Sequence, residues 1–339
     1  MFTFASRTPL VSIVVANYNN RNLLARCLDS ITELVYQNFE VIVVDDASTD
    51  DSIRYVREHY KNFSRLKIAE NSQNLGYAES NNIGARIAGG DYVFLLNNDT
   101  EVTPTSVSRL VEVMESDPSI GVCQSKLLNM EDRNRVDSIG GFLDYLGNSV
   151  NRQPWGAKDR EAMAPIFFAK GAALMIRRDL TKEIGLFDEK FRAYYEDVDL
   201  CWRVWLRGYR VIVVPGSVVY HAESSVLRRM PAFSSYHMSK NRLATLIRNY
   251  GRGNLLKYVP LAVALTLGAI LFLTFRMSSR AHPLLMSLIW NLRNLSHNWK
   301  WRILVQNYVR RTPDSVIIMN MKKPDIAKLM NFLKGGSFP

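Results

Sequence analysis

Four short apolar runs, separated by segments of helical spacing, restrict the first hundred residues to one kind of architecture. They cover residues 10–16, 39–44, 66–69 and 91–96. None shows a helical period, and unbroken apolar runs of this length are strands buried on both faces. Between them, Leu23, Leu24, Cys27, Leu28, Ile31 and Leu34 recur at helical spacing. Ile53 and Val56 begin a second helix, and residues 76–88 form a helix of small residues. Strand and helix alternating with short joins build right-handed βαβ units, which predicts an α/β fold with a mainly parallel sheet flanked by helices. At 47% hydrophobic, the 339 residues supply ample material for such a core.

The chemistry is expected where these strands end, because open α/β sheets bind ligands at their carboxyl ends. The first run stops at Asn17-Tyr18-Asn19-Asn20, the second at Asp45-Asp46 and the fourth at Asn97-Asn98-Asp99. No Gly-x-Gly-x-x-Gly follows the first strand. Acids at two neighbouring strand ends suit a nucleobase or ribose on one and a metal-bridged phosphate on the other. Asp99 and the Asn97 amide are oxygen donors for a hard divalent cation, Mn2+ or Mg2+. The plainer alternative is a polar strand end that only starts a turn.

Further on, residues 104–115 are expected as a helix and 120–128 as a strand. The polar, glycine-bearing stretch 131–160 reads as a flexible lid or a plain surface insertion. Residues 170–176 open a strand with Gly171 and Ala172, where a glycine allows close approach of a ligand or tight packing. Residues 196–208 form a helix that stops at Gly208. Glu196, Asp199 and Arg203 share one face, so Asp199 is free to pair with Arg203. Asp197 points toward Leu200 and Cys201, and a carboxylate among apolar neighbours gains proton affinity, as a general base requires. Residues 209–214 are a strand closed by Pro215-Gly216, followed by Val218-Val219-Tyr220-His221.

The order Val-Ser-Ile-Val-Val-Ala-Asn-Tyr-Asn, Val-Ile-Val-Val-Asp-Asp-Ala-Ser-Thr-Asp, Asn74-Leu75-Gly76 with Asn82-Ile83-Gly84, and Leu-Leu-Asn-Asn-Asp resembles the family-2 glycosyltransferases of GT-A fold, the rhamnosyltransferase-like type of surface polysaccharides included. The resemblance runs from about residue 10 to 221, and weakly to 250. It implies that Ala16, Asn17, Tyr18 and Asp46, with Gly76, Asn82 and Asn98, hold a nucleotide sugar of uridine or thymidine type. It implies a divalent cation on Asp99 with Asn97 and His221, an acceptor over Gly171 and Ala172, and an acidic pair, Glu196 and Asp197, with Asp197 taking the acceptor hydroxyl's proton. The family's usual Asp-x-Asp stands here as Asn97-Asn98-Asp99, one carboxylate short.

The division expected is a catalytic unit over residues 1–230 and a membrane-associated helical region over 231–339. The net charge of +11 is concentrated at the end: after Phe275 there are eleven Lys or Arg against two acids, Asp314 and Asp325. Such a tail suits an anionic membrane or nucleic acid. The uncharged run 259–275 before it selects the membrane, so no nucleic-acid partner is expected. Residues 236–250 read as a basic amphipathic helix lying among headgroups. Residues 284–295 read as a second one, with Trp290, Trp299 and Trp301 as interface anchors. One full crossing by 259–275 would export the basic tail against the positive-inside tendency, so a re-entrant or interfacial segment is expected. A nucleotide sugar is a cytoplasmic donor, which places the protein on the cytoplasmic membrane face with a lipid-linked glycan as acceptor. Cys27, Cys123 and Cys201 are read as buried thiols, and residues 1–8 lack a signal-peptide core. Two other classes stay open: a metal-dependent nucleotidyltransferase, and an inactive binding module that recruits partners to the membrane.

Overall fold

The four apolar runs become β1 (Val11–Asn17), β2 (Phe39–Asp45), β3 (Leu66–Glu70) and β4 (Tyr92–Asn97), joined through α1 (Arg21–Thr32), α2 (Ser52–His59) and α3 (Tyr77–Ile87). The computed structural model describes residues 8–152, 161–222 and 230–325. Residues 1–7, residues 153–160 of the expected lid, and Lys328 and Lys334 of the tail lie outside them. The four strands are parallel in the order 3-2-1-4. The order reverses between β1 and β4, so their carboxyl ends border the crevice where such sheets bind ligands.

Alternate side chains supply the two layers that cover the sheet. Val11, Ile13 and Val15 pack with Leu24, Leu28 and Ile31 of α1, while Val14, Ile42 and Leu95 pack on the other face with Ala78 of α3. All three cysteines are buried and unpaired, as expected. Burial in apolar surroundings pushes the Cys27 thiol up to about 12.

The second half of the sheet is mixed. After β5 (Thr100–Val102) and α4 (Ser106–Ser116) come β6 (Ile120–Asn129), β7 (Val136–Ser138), β8 (Gly141–Leu143), β9 (Ser149–Asn151), β10 (Ala164–Pro165) and β11 (Ala173–Arg177). Next are α5 (Arg178–Ile184), α6 (Glu196–Arg207) and β12 (Arg210–His221). Strand β11 lies antiparallel between β4 and β6. Pro215-Gly216 does not close a strand. It sits in a register shift of β12, between Val214 and Val218, and the strand continues beside β6 to His221. A bulge absorbs the proline that a regular ladder would not.

Much of the stretch expected as a loose lid is built structure. Strand β7 pairs with β6, β8 pairs with β9, and Ile139 and Leu143 are in the core. The Asp144 carboxylate ties the turn between β8 and β9 by accepting from the Leu146 and Asn148 backbone.

The chain then forms α7 (Pro231–Asn249), α8 (Arg252–Phe275), α9 (Ala281–Arg293), α10 (Leu295–Leu304) and α11 (Asp314–Met319). Here the headgroup reading of residues 236–250 is overturned: α7 is buried protein. Arg248 pairs with Asp188 at 2.6 Å with both side chains buried. Lys240 donates to the Lys190 carbonyl at 2.9 Å, and Arg242 donates to the Leu146 carbonyl. Burial, helped by Arg248 and opposed by Asp188, pushes Lys240 down to about 8. A basic stripe buries when carbonyls and a carboxylate replace its water. Trp301 likewise faces inward, beside Arg203 and Arg248, whereas Trp299 is half exposed.

Candidate active site

A cleft of about 960 Å³ opens where the carboxyl ends of β4 and β12 meet the amino end of α6, and Asn97, Asp99, Gly171, Ala172, Glu196, Asp197 and His221 all line it. The chain brings them together by short pairings. Strand β5 starts directly after Asp99 and runs antiparallel to the end of β12, setting Thr100 opposite His221. The Ala222 N–H donates to the Asp99 carbonyl at 2.9 Å. His221 Nε2 consequently stands 3.4 Å from Asp99 Oδ1, and its Nδ1 lies 2.9 Å from Asp137 Oδ2. Burial alone would lower this imidazole's proton affinity. The two carboxylates outweigh that and hold it up at about 9.

Asp137 is the site residue that sequence reasoning missed. It sits on β7, inside the stretch taken for a loop, and its only signal was an acid near the end of that stretch's first polar run. Its side chain is almost fully buried and also pairs with Lys170 at 2.8 Å. A carboxylate on one ring nitrogen turns the other toward a ligand, the arrangement usual for metal-binding histidines.

On the opposite wall, Asp197 Oδ2 accepts from the Gly171 N–H at 2.9 Å and Oδ1 accepts from the Val198 N–H at 2.8 Å. Tyr77 donates its hydroxyl to the Gly171 carbonyl, and a Cβ on Gly171 would stand 2.9 Å from that hydroxyl. Burial raises the Asp197 carboxyl, against the pull of the Gly171 and Val198 donors and of Lys170. Burial and the adjacent Asp197 charge raise Glu196 well above the ordinary range. Glu196 Oε2 is buried without a hydrogen-bond partner. Of the pair, Asp197 is the member better held as a carboxylate and Glu196 the one more readily neutral. Asp199, by contrast, pairs with Arg203 at 3.0 Å, as its spacing predicted.

The acidic pair follows two consecutive left-handed residues, Tyr194 (φ 65°) and Tyr195 (φ 67°). Such backbone costs roughly 1–3 kcal/mol per residue and persists only where neighbours impose it. Asn241 of α7 is that neighbour. Its amide reaches the carbonyls of Phe191, Ala193 and Tyr194 at 3.0, 2.9 and 2.6 Å. Asn241→Ala is expected to lower stability by about 1–3 kcal/mol. It should reduce turnover far more than nucleotide binding, and steady-state kinetics beside a nucleotide melting shift reads both.

Other expected residues lie outside the cleft lining. Asp46 is buried, and it accepts from Asn71 Nδ2, the Leu75 N–H and the Gly76 N–H at 2.8–2.9 Å. Its carboxylate fastens the 71–76 loop. Gly76 (φ +90°) lies against Arg192, where a Cβ would collide. Asn82 anchors Phe187 through both its backbone groups. Ala16 is a strand position facing Val44 and Asn97 across the ladder. Asn98 donates to Asn17 Oδ1 at 2.7 Å, and Asn17 donates to Asp45 at 3.0 Å, linking three strand ends. Tyr18, just past β1, is 46% exposed.

A divalent cation fits this donor set in part. Asn97 Oδ1 is a buried oxygen without a hydrogen-bond partner, and Asp99 and His221 Nε2 face each other across the same wall. Among the described residues no three acids, thiols or imidazoles form a closed cage. Magnesium-type sites commonly leave positions for water and substrate phosphate.

A family model described as glycosyl transferase family 2 matches residues 12–185, more than half of the chain. The chain belongs to this family. As a family-2 glycosyltransferase it is a transferase, and its acidic pair and His221 lie beyond the matched span. It is 26% identical over 258 residues to the N-acetylglucosaminyl-diphospho-decaprenol L-rhamnosyltransferase of Mycobacterium tuberculosis, covering 68% of this chain and 83% of that protein. It is 28% identical to an uncharacterised protein of Sinorhizobium fredii over 64% of this chain, but spans only 25% of that protein. The fold is that of the mannosyltransferase PcManGT from Pyrobaculum calidifontis, solved with GDP-Man and Mn2+ (TM-score 0.56, 20% identity, 89% of this chain and 87% of that one). It is also that of GalNAc-T7, solved with UDP, GalNAc and Mn2+ (TM-score 0.59, 19% identity, 74% and 49%). This is the expected GT-A architecture.

Proposed function

We propose that this glycosyltransferase moves a sugar, with inversion, from a nucleotide diphosphate sugar to a hydroxyl of a lipid-linked saccharide at the cytoplasmic membrane face. The observation that carries the proposal is the single cleft shared by Asp99 and His221 on one wall and Asp197 on the other.

The nucleoside stacks on the exposed Tyr18 ring, beside the Asn17–Asn98 link and the loop fastened by Asp46. Asp99, His221 and Asn97 would hold a divalent cation, with Asp137 fixing the His221 ring. The cation would neutralise charge developing on the leaving diphosphate. Asp197, its two oxygens steered by the Gly171 and Val198 N–H groups, takes the proton from the acceptor hydroxyl as that oxygen attacks. Gly171 and Ala172, without bulk, leave room for the acceptor. Asp99→Asn is expected to abolish the part of the nucleotide-induced rise in melting temperature that depends on manganese or magnesium. An unchanged metal-dependent shift would remove Asp99 from the metal site.

The membrane reading rests on α8, the one described helix long and apolar enough to span a bilayer, with only a third of its apolar window buried. Leu256, Leu271 and Phe275 on it are largely exposed, and Leu292, Leu295 and Trp299 extend the apolar surface onto α9 and α10. Exposed apolar surface of this extent marks an interaction face. Leu273 of α8 packs on Leu284 of α9, so the chain reverses after Phe275. Arg302 then donates to the Ile247 and Tyr250 carbonyls, returning the tail to the catalytic body. The expected arrangement is a re-entrant or interfacial hairpin with the tail on the catalytic side. Protease added outside sealed inside-out vesicles should cleave both catalytic unit and tail; a tail cut only from the lumen would exclude it. The Mycobacterium tuberculosis relative, by its name, acts on a diphospho-decaprenol, and that supports a lipid-linked acceptor and a place in polysaccharide assembly.

A further inference from the structure

The catalytic cleft does not end at the acidic pair. Its lining continues over Pro231, Ser234 and Ser235 at the start of α7 to Ser279, Arg280 and Pro283 at the α8–α9 turn. Ser239 and Ser287 pin α7 and α9 side by side, their hydroxyls 2.9 Å apart. One helical turn earlier on each lie Ser235 and Pro283, so both belong to the same end of the cleft. The Ser235 hydroxyl is buried there without a hydrogen-bond partner. Among the described lining residues Arg280 is the full-time cation on the α8–α9 turn.

Just beyond Arg280 the surface turns apolar. Phe275 is 88% exposed and Met277 94% exposed, with Phe272 and Leu271 behind them. The tip is held by its own small core of Ala269, Ile270, Leu273 and Leu284. One continuous path therefore runs from the carboxylates that handle a sugar hydroxyl, past a guanidinium and hydroxyls, to an apolar point. A saccharide joined through a diphosphate to a lipid has its parts in that order.

We infer that Arg280, with Ser235 and Ser279, forms a subsite for the diphosphate of a lipid-diphosphate acceptor, whose lipid leaves across the Phe275–Met277 tip into the bilayer. This rests on the lipid-linked reading above and adds the residues that would recognise the acceptor's charge. A guanidinium suits it, because its planar fork pairs with phosphate oxygens at two points. The apolar tip supplies membrane contact of either lipid composition, and Arg280 supplies selection for the diphosphate.

The test is flotation of the full chain with three sets of phosphatidylcholine vesicles: plain, doped with phosphatidylglycerol, and doped with a long-chain prenyl diphosphate at matched negative charge. The prenyl diphosphate vesicles should bind more tightly than the charge-matched ones. Arg280→Gln should weaken that binding roughly tenfold, the worth of one charge-assisted hydrogen bond, and leave phosphatidylglycerol binding within about twofold. Phe275→Ser with Met277→Ser should weaken binding to all three. Equal binding of the two charged vesicles, or an unchanged preference in Arg280→Gln, would overturn the subsite. Nucleotide release by a chain without the preference would end the subsite and keep the transfer reading. The preference in a chain that releases nucleotide from no donor would do the reverse.

Discussion

Asp197→Asn is expected to bind the donor nucleotide as the parent does and to transfer sugar roughly 10²-fold or more slowly, the usual cost of losing a positioned base. The amide keeps the shape of the side chain and one oxygen to accept from the Gly171 N–H. What it loses is the lone pair that receives the acceptor's proton. The parent should also show an acid limb in kcat/KM. Burial raises the Asp197 carboxyl from its ordinary value, so activity should climb with pH through a value above the usual aspartate range. Below that value the carboxyl is protonated and cannot act as base; above it the rate should level. The limb should be missing from whatever activity Asp197→Asn retains. Near-parental turnover in the variant would take Asp197 out of the base role.

Arg203→Met is expected to cost about 3–5 kcal/mol of folding stability, the range for breaking a buried ion pair from one side. Arg203 is fully buried, pairs with Asp199 at 3.0 Å, and donates to the carbonyls of Ile184, Gly185 and Leu186. Methionine fills most of the volume but leaves a buried carboxylate and three carbonyls short of donors. Asn249 still donates to Asp199 Oδ1 at 2.8 Å and offsets part of the loss. Adding Asp199→Asn should recover some stability, because the stranded charge is then gone. Denaturant unfolding measures both; a loss under about 1 kcal/mol for Arg203→Met would mean that water reaches the site. Because Asp199 lies on the helix that carries Glu196 and Asp197, the same change should loosen the catalytic wall.

The parallel half of the fold was legible because its strands are buried on both faces, and burial of that kind writes itself as unbroken apolar runs. The Asp199–Arg203 ion pair was legible because the two residues stand one helical turn apart. The meeting of Asp99 with His221 was not legible from local pattern, since a three-residue strand, β5, makes it. Only the family resemblance placed His221 there. Asp137 escaped for a related reason: β7 is equally short and lies in a polar, glycine-rich stretch that looks like a loop. The burial of α7 was misread because a basic amphipathic helix has the same pattern whether its cations meet headgroups or protein carbonyls. The deciding partner, Asp188, is distant in sequence from Arg248. The contacts of Asp46 with Asn71, Leu75 and Gly76 were likewise beyond local pattern, since they join segments 25 to 30 residues apart.

The most direct measurement is release of nucleotide from a panel of nucleotide diphosphate sugars, with a membrane lipid extract as acceptor and with manganese, magnesium or chelator, followed by assignment of the anomeric configuration of the new bond. The account predicts release from one donor class, lost on chelation, with the configuration inverted relative to the donor. Release from no donor, or a product that retains the donor's configuration, would contradict it.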